Sequence, residues 1–285
     1  MLAPLGVLLA MAVLVGVAFG VHDAVAKLSM EDVNPSALSL ATLLAGLPLL
    51  AVFLPAAGGL RLTPLSAALF VAAGVVNFAL GRTTMYAATS ALTASGASVM
   101  TASSAVFSVA IGAAMGEAVT WNVALGVTAI VVAVYLASGW SAGSGLTARG
   151  LGLGLATGLA IATSVAIIKL GDLEGGSPGL GVIIAYLSGV MALSPRLREA
   201  VRVLTSRSRP VMTMGVSAAA GQLMRYLALT ALGVEVVTPL QNIRPIAATF
   251  LLFWLGSGSK RPAARHWAAA AAAFVGVALV SGLIR

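Results

Sequence analysis

Long apolar runs alternate with short polar stretches along all 285 residues, and this rhythm sets the expected elements before any motif does. A bilayer core about 30 Å thick needs roughly 20 apolar residues per helix, because lipid offers the backbone no hydrogen-bond partners. Ten segments meet that requirement, at about residues 5–28, 35–54, 64–87, 93–115, 120–139, 149–170, 178–193, 210–232, 235–255 and 263–284. Breakers mark most joints: Asn34-Pro35, Pro55 with Gly58-Gly59, Pro64, the Gly139 to Gly145 stretch, Gly175-Gly176 with Pro178, Pro195, Pro210, and Gly256 to Pro262. The connections are short except for the basic one from Ser194 to Arg209. The first run, Leu5 to Val21, has no basic residue before it and no cleavage pattern, so it reads as a permanent helix and not a signal peptide.

Composition removes the soluble alternatives. Apolar residues make up 60% of the chain and charged ones 8%, against about 25% charged in an ordinary soluble domain. No stretch is left for an extramembrane domain. The absence of cysteine excludes disulfides, thiolate metal sites and cysteine nucleophiles. Sixteen Lys and Arg against eight Asp and Glu give a net charge of +8, but most of these charges sit between apolar runs, as loop charges of a membrane protein do. Arg61 and Arg285 fall on the face of the chain termini, and Arg149, Arg196, Arg198, Arg202, Arg207, Arg209, Lys260, Arg261 and Arg265 on the other. The positive-inside rule then puts both termini outside.

The chain also repeats itself. Ala24-Val25-Ala26-Lys27-Leu28, followed by Glu31, Asp32 and Asn34-Pro35, is echoed by Ala166-Ile167-Ile168-Lys169-Leu170, followed by Asp172, Glu174 and Ser177-Pro178. Tyr86-Ala87-Ala88-Thr89-Ser90-Ala91-Leu92 is echoed by Tyr226-Leu227-Ala228-Leu229-Thr230-Ala231-Leu232. The expected fold is therefore all-α and integral to the membrane, with five helices in residues 1–142 and five in 143–285. An odd number of helices inserts the second repeat upside down relative to the first, a plan in which substrate sits near the midplane between repeats.

These run-outs at Lys27 and Lys169, together with Gly116-Glu117 at the end of the fourth helix, resemble the drug/metabolite transporter superfamily and its EamA-like members. The resemblance implies export or exchange of small metabolites across a cell membrane, and termini in the cytoplasm, opposite to the charge count. It breaks at Gly256-Ser257, where a second Gly-Glu is expected, so a role for Glu117 has no symmetric partner.

Ionisable residues within spans are costly, about 2.5 to 3.5 kcal/mol for an Arg or Lys at a helix centre on insertion scales, and are read as functional by default. Arg244 is the leading candidate. Gln241-Asn242-Ile243-Arg244-Pro245 sets polar side chains and a proline in the middle of an apolar helix, and Pro245 frees the carbonyl of Gln241, so a bend there is expected to open polar backbone toward a cavity. The basic residue after an Asn in the ninth helix is also similar to sugar-phosphate translocators of the same superfamily, which implies a basic phosphate-binding side chain. The structural alternative is that Arg244 bonds helix carbonyls or pairs with an acid such as Asp23. Arg225 shares a helix face with Gln222 and Tyr226, and Asn77, Arg82 and Tyr86 form a looser counterpart. Arg82 and Lys169 lie close enough to helix ends to snorkel. Asp23 and Lys27, four apart, are expected to neutralise each other, and His22 beside them is a candidate for proton coupling or, equally, an interhelical hydrogen-bonding residue. With Asp23 the one clear deep acid, the excess of positive groups favours an anion, or the acidic end of a zwitterion.

The glycine pairs Gly16/Gly20, Gly112/Gly116 and Gly154/Gly158 read as close-packing devices ahead of a dimer seam, leaving a homodimer open. The five arginines between Arg196 and Arg209 read as a topology anchor, with anionic lipid contact second. No Ser-His-Asp set, metal-ligand cluster or nucleotide loop is present in the sequence, so neither enzyme nor cofactor is expected, and Gly150, Gly152 and Gly154 lack a dinucleotide-loop context. The resulting expectation is a multi-pass cell-membrane secondary transporter of a small anionic or zwitterionic metabolite, working by alternating access. Arg244, Arg225, Gln241, Asn242, Gln222, Tyr226, Tyr86, Arg82 and Asn77 would hold substrate, and His22, Asp23, Lys27 and Lys169 would couple or gate. The partners expected are substrate and lipid, not nucleic acid. The competing readings are a flippase for an anionic lipid-linked intermediate and a non-transporting membrane scaffold.

Overall fold

The computed structural model describes residues 4–29, 32–54, 59–91, 94–138, 148–254 and 264–282, all in helices and short turns. Lys260, Arg261, Arg285, the Gly139 to Gly145 breaker and Gly256-Ser257 lie outside the described residues. The helices are α1 (Leu5–Ser29), α2 (Pro35–Phe53), α3 (Pro64–Gly74), a π-helical stretch (Val75–Arg82), α4 (Thr83–Ala91), α5 (Ala94–Ala114), α6 (Trp121–Ser138), α7 (Ala148–Leu173), α8 (Pro178–Leu193), α9 (Leu197–Ser206), α10 (Ser208–Leu229), α11 (Val234–Gln241), α12 (Arg244–Trp254) and α13 (Ala264–Val280). Among the described residues six helical stretches are long and apolar enough to cross a membrane: Leu5–Leu28, Pro35–Phe53, Pro64–Ala88, Ala148–Leu173, Pro178–Ser206 and Val234–Trp254. Shorter apolar helices cover Ser103–Ala114, Trp121–Leu136 and Trp267–Val280. α10 has the length but not the hydropathy, because Ser208, Arg209, Thr213, Ser217, Gln222 and Arg225 interrupt it.

Caps explain where several helices start. Asn34 accepts the Ser36 and Ala37 amides at 3.0 and 3.2 Å, and Thr63 and Ser66 form a reciprocal capping box ahead of α3. Pro35, Pro64 and Pro178 each occupy a first turn, where no amide donor is needed. The basic Ser194 to Arg209 connection is not the loop expected from sequence. It folds as a turn and α9, because Ala200, Val203 and Leu204 recur at helical spacing and bury one face while Arg198 and Arg202 stay on the other.

α1 packs against α10 and α12, α5 against α7, α2 against α8 and α10, and α6 against α13. Small residues set these distances. Phe70 is fully buried in a cup of glycines, and a Cβ on Gly171 or Gly181 would lie 2.5 or 2.8 Å from its ring. Tyr226 packs beside that ring, 6.0 Å between centroids. The Ser177 amide donates to the Arg61 carbonyl at 2.9 Å and the Thr63 hydroxyl to the Glu174 carbonyl at 3.0 Å, tying the loop before α3 to the loop before α8.

Candidate functional site

Two departures from α-helical geometry build the centre of the molecule. The first is the π-helical stretch between α3 and α4. Its wider turn leaves the Phe78 carbonyl to be taken by hydroxyls, Ser39 at 3.1 Å and Thr83 at 3.4 Å. The same register turns both Asn77 and Arg82 inward, each 7% exposed. Arg82 therefore does not snorkel as expected from its distance to the helix end. Its Nη1 donates to the Thr42 hydroxyl at 3.3 Å, and its guanidinium lies 4.7 Å from the Phe78 ring centroid.

The second departure is the break between α11 and α12 at Asn242 and Ile243, as the Pro245 argument anticipates. The expected opening of polar backbone toward a cavity does not accompany it. α1 closes over the break because Gly16 and Gly20 have no side chains: a Cβ on Gly16 would meet Ile243 Cγ1 at 2.6 Å and the Gln241 carbonyl at 2.7 Å, and one on Gly20 would meet Ala247 Cβ at 2.7 Å. Asn242 Nδ2 donates to the Ser104 hydroxyl at 3.0 Å. Gln241 is buried without a hydrogen bond to its amide group.

Arg244, the first residue of α12, makes a two-pronged pair with Asp23, Nε to Oδ2 and Nη2 to Oδ1, both 2.6 Å. Asp23 is thus not neutralised by Lys27, which is exposed one turn further along α1 and forms no ion pair with it. The guanidinium fork of Arg244 reaches Asp23 from a neighbouring helix in the geometry that a carboxylate accepts best. Asp23 Oδ1 also lies 3.0 Å from His22 Nδ1, and His22 Nε2 lies 2.7 Å from the Tyr86 hydroxyl. A continuous hydrogen-bonded chain therefore runs from Tyr86 through His22 and Asp23 to Arg244.

Arg225 has no such partner. It is 3% exposed, its Nε and Nη1 make no hydrogen bond, and its neighbour Gln222 leaves Oε1 unbonded. The Phe19 ring supports both arginines, 4.8 Å from Arg225 and 5.3 Å from Arg244. Arg82, Arg225, Arg244, Gln222, Asn77 and His22 line one cavity of about 30 Å³, with Phe19, Gly81, Met85 and Ile161 completing its wall. Its wall holds three guanidinium groups, with the Asp23 carboxylate behind one of them.

The other sequence candidates lie apart from this wall. Tyr226 faces Phe70, and Lys169 donates to the carbonyls of Leu229 and Leu232 at 2.7 and 3.1 Å, capping the end of α10 in place of snorkelling. Asn242 and Gln241 sit at the helix break. Sequence reasoning missed Phe19, which shares a face of α1 with His22 and Asp23 at spacings of three and four. It also counted Asp23 as the one deep acid, whereas Glu235 is 7% exposed in the first turn of α11. It is the first residue of the expected 235–255 span, at a helix end and not at a helix centre.

A crystal structure of a protein 13% identical in sequence superposes with a TM-score of 0.74, covering 99% of this chain and 98% of that one, which establishes the fold alone. No curated protein matches the chain. Residues 5–139, just under half of the chain, match the model of the EamA-like transporter family, part of the drug/metabolite transporter superfamily, and with its apolar helices the chain is similar to that family's multi-pass membrane transporters of small molecules.

Proposed function

We propose that the chain is a secondary transporter that carries a small anionic or zwitterionic metabolite by alternating access between two five-helix repeats, residues 1–142 and 143–285, inserted in opposite senses. The observation that carries this reading is Arg225, a buried guanidinium with two nitrogens unbonded beside an unbonded Gln222 oxygen. A buried charge without a partner costs several kcal/mol, and a carboxylate or phosphate is the group that a guanidinium fork satisfies best. Arg244 is already occupied by Asp23, so Arg225 and Arg82 make the primary grip, with Gln222 and Asn77 supplying neutral hydrogen bonds.

The cavity volume of about 30 Å³ is far below the roughly 300 to 1,000 Å³ of a small-molecule site. Loading substrate therefore requires the helices around it to part. The break before α12 and the π-helical stretch before α4 are the joints at which they would do so. The test is uptake of radiolabelled acids into proteoliposomes. Arg225→Lys should lower uptake strongly, since an ammonium keeps the charge but loses the fork, and unimpaired uptake by Arg225→Ala would remove the assignment.

A further inference from the structure

A second group of ionisable residues, none of which lines the central cavity, sits where the end of α5 meets the start of α11. Gly116 takes a φ of +84°, a conformation that suits glycine, and the chain turns there so that the Glu117 amide donates to the Gly112 carbonyl at 2.9 Å. The Glu117 carboxylate then reaches across to the first turn of α11, accepting the Val234 amide at 2.9 and 3.1 Å and the Glu235 amide at 3.4 Å. A carboxylate at a helix N-terminus meets unbonded amides and the positive end of the dipole, which favours its ionised form.

The Glu235 carboxyl lies beside this same Glu117. It is 7% exposed, and its Oε2 has no partner. Both side chains converge on the space that Gly112 leaves open: a Cβ there would lie 2.6 Å from Glu117 Oε2 and 3.4 Å from Glu235 Oε2. Two ionised carboxylates have no donor between them and repel each other, whereas a proton on one removes the repulsion and supplies a donor to the other. The charged groups facing Glu235 are Glu117 from the end of α5 and Lys169 from α7, and Lys169 also interacts with Asp172 of its own helix. α1, α6, α10 and α13, which also pack on α11, carry among the described residues no acidic or basic side chain in their turns at this end. Lys169 does not replace the proton, because its ammonium is held by the Leu229 and Leu232 carbonyls.

We infer that Glu235 and Glu117 form a proton-binding site, holding one proton between them while α11 is docked on the end of α5 and releasing it when the two part. Glu117 belongs to the first half of the chain and Glu235 to the second, so the proton closes a seam between halves. Release leaves two anions side by side, Glu235 buried and Glu117 partly so, and separation of α11 from α5 relieves their repulsion. α11 leads directly to the break at Asn242 and Ile243 and so to Arg244, which links the proton to the central cavity. This last link rests on the transporter reading above; the proton site itself does not.

The chain has no cysteine, so Thr238→Cys supplies a single reporter. Thr238 is three residues beyond Glu235, on the same helix face, and fully buried. Purified protein with this reporter, with and without Glu235→Gln, would be labelled with a water-soluble maleimide across a pH series in the absence of any substrate. The amide that Glu235→Gln introduces donates to Glu117 at every pH, and the pair of proteins cancels the titration of the thiol itself. The ratio of the two labelling rates should be near one in acid and climb about tenfold per pH unit until it levels off, as expected of one proton. A ratio that stays flat over the range in which the protein is folded overturns the proposal and leaves the arginine cavity untouched. Infrared titration of the chain with its natural Glu235 gives the second reading. A protonated-carboxyl band that vanishes on Glu235→Gln supports the shared proton, and a spectrum indifferent to that substitution refutes it. Loss of uptake in Arg225 variants, with the labelling ratio still rising, would separate the two ideas in the other direction.

Discussion

Two arginines in one cavity should respond to the same substitution with opposite signs. Arg225→Met removes a charge whose Nε and Nη1 are unbonded and keeps a side chain of similar length against Phe19. An arginine at a helix centre costs about 2.5 to 3.5 kcal/mol on insertion scales. Its cation–π contact with Phe19 returns about 2 kcal/mol when desolvated. The substrate-free protein should therefore gain about 1 kcal/mol. For chains of this size that is a rise of about 2 to 4 °C in the unfolding midpoint. Arg244→Met instead leaves the Asp23 carboxylate without its two 2.6 Å bonds. Stranding one member of a buried pair costs about 3 to 5 kcal/mol, and Asp23, with its side chain 28% exposed, belongs at the lower end of that range. Thermal unfolding of the two variants in detergent measures both, and ligand-induced stabilisation should disappear in the first. An Arg225→Met protein that melts well below the parent would refute the reasoning, since it would mean that the protein itself satisfies that guanidinium.

Three further outcomes are expected from the geometry. Gly16→Ala should push α1 off the helix break, because its methyl would lie 2.7 Å from the Gln241 carbonyl. An overpacking cost of about 1 to 3 kcal/mol should appear in denaturant melts together with impaired uptake. Lys169→Met should destabilise by about 1 to 3 kcal/mol by leaving the Leu229 and Leu232 carbonyls unbonded at the end of α10, and amide exchange in that turn should speed up. Outside the membrane, the Arg207 guanidinium holds the Asp32 carboxyl below the usual carboxylate range through bonds of 2.7 and 2.8 Å. That contribution is present above the unfolded carboxyl's pKa and lost as pH falls through the lower folded value. Asp32→Asn should therefore differ slightly from the parent at neutral pH and converge with it in acid.

Apolar helices were legible from their length and composition, though of the ten spans expected only six described stretches are long and apolar enough to cross a membrane, and caps such as Asn34-Pro35 and Thr63-Pro64 are written locally. The irregular elements were less so. Nothing in Val75–Arg82 marks a π-helical register, since it depends on Ser39 from α2 taking the Phe78 carbonyl. α9 was hidden by its arginines, which look like a loop until the spacing of its apolar residues is counted. In the cavity, intramembrane cost pointed to Arg225, Arg244 and Arg82, but pairing could not be read from spacing. Asp23 and Lys27 share a face of α1, yet a partner from another helix with a better fork wins. Glu235 was overlooked for the same reason, because its burial is created by α5 and α7 and not by α11.

The two departures from α geometry also explain why the cavity is polar at all. In a bundle of regular helices, polar side chains at Asn77, Arg82 and Arg244 would have to compete with apolar neighbours for the inner face. The π-helical stretch brings residues five apart onto one side, which is how Asn77 and Arg82 share a wall. The break at Asn242 and Ile243 restarts the helix so that Arg244 emerges from a first turn, with Pro245 where no donor is missed. Gly16 and Gly20 then let α1 bring Phe19, His22 and Asp23 against that new start. A regularising deletion within Val75–Arg82 should therefore do more than shorten a helix: it should rotate Arg82 out of the cavity and leave Arg225 facing a wall with one fewer guanidinium. The measurable result is weaker stabilisation by anionic ligands in a protein that still folds, and an undiminished response would show that the π register is incidental to the site.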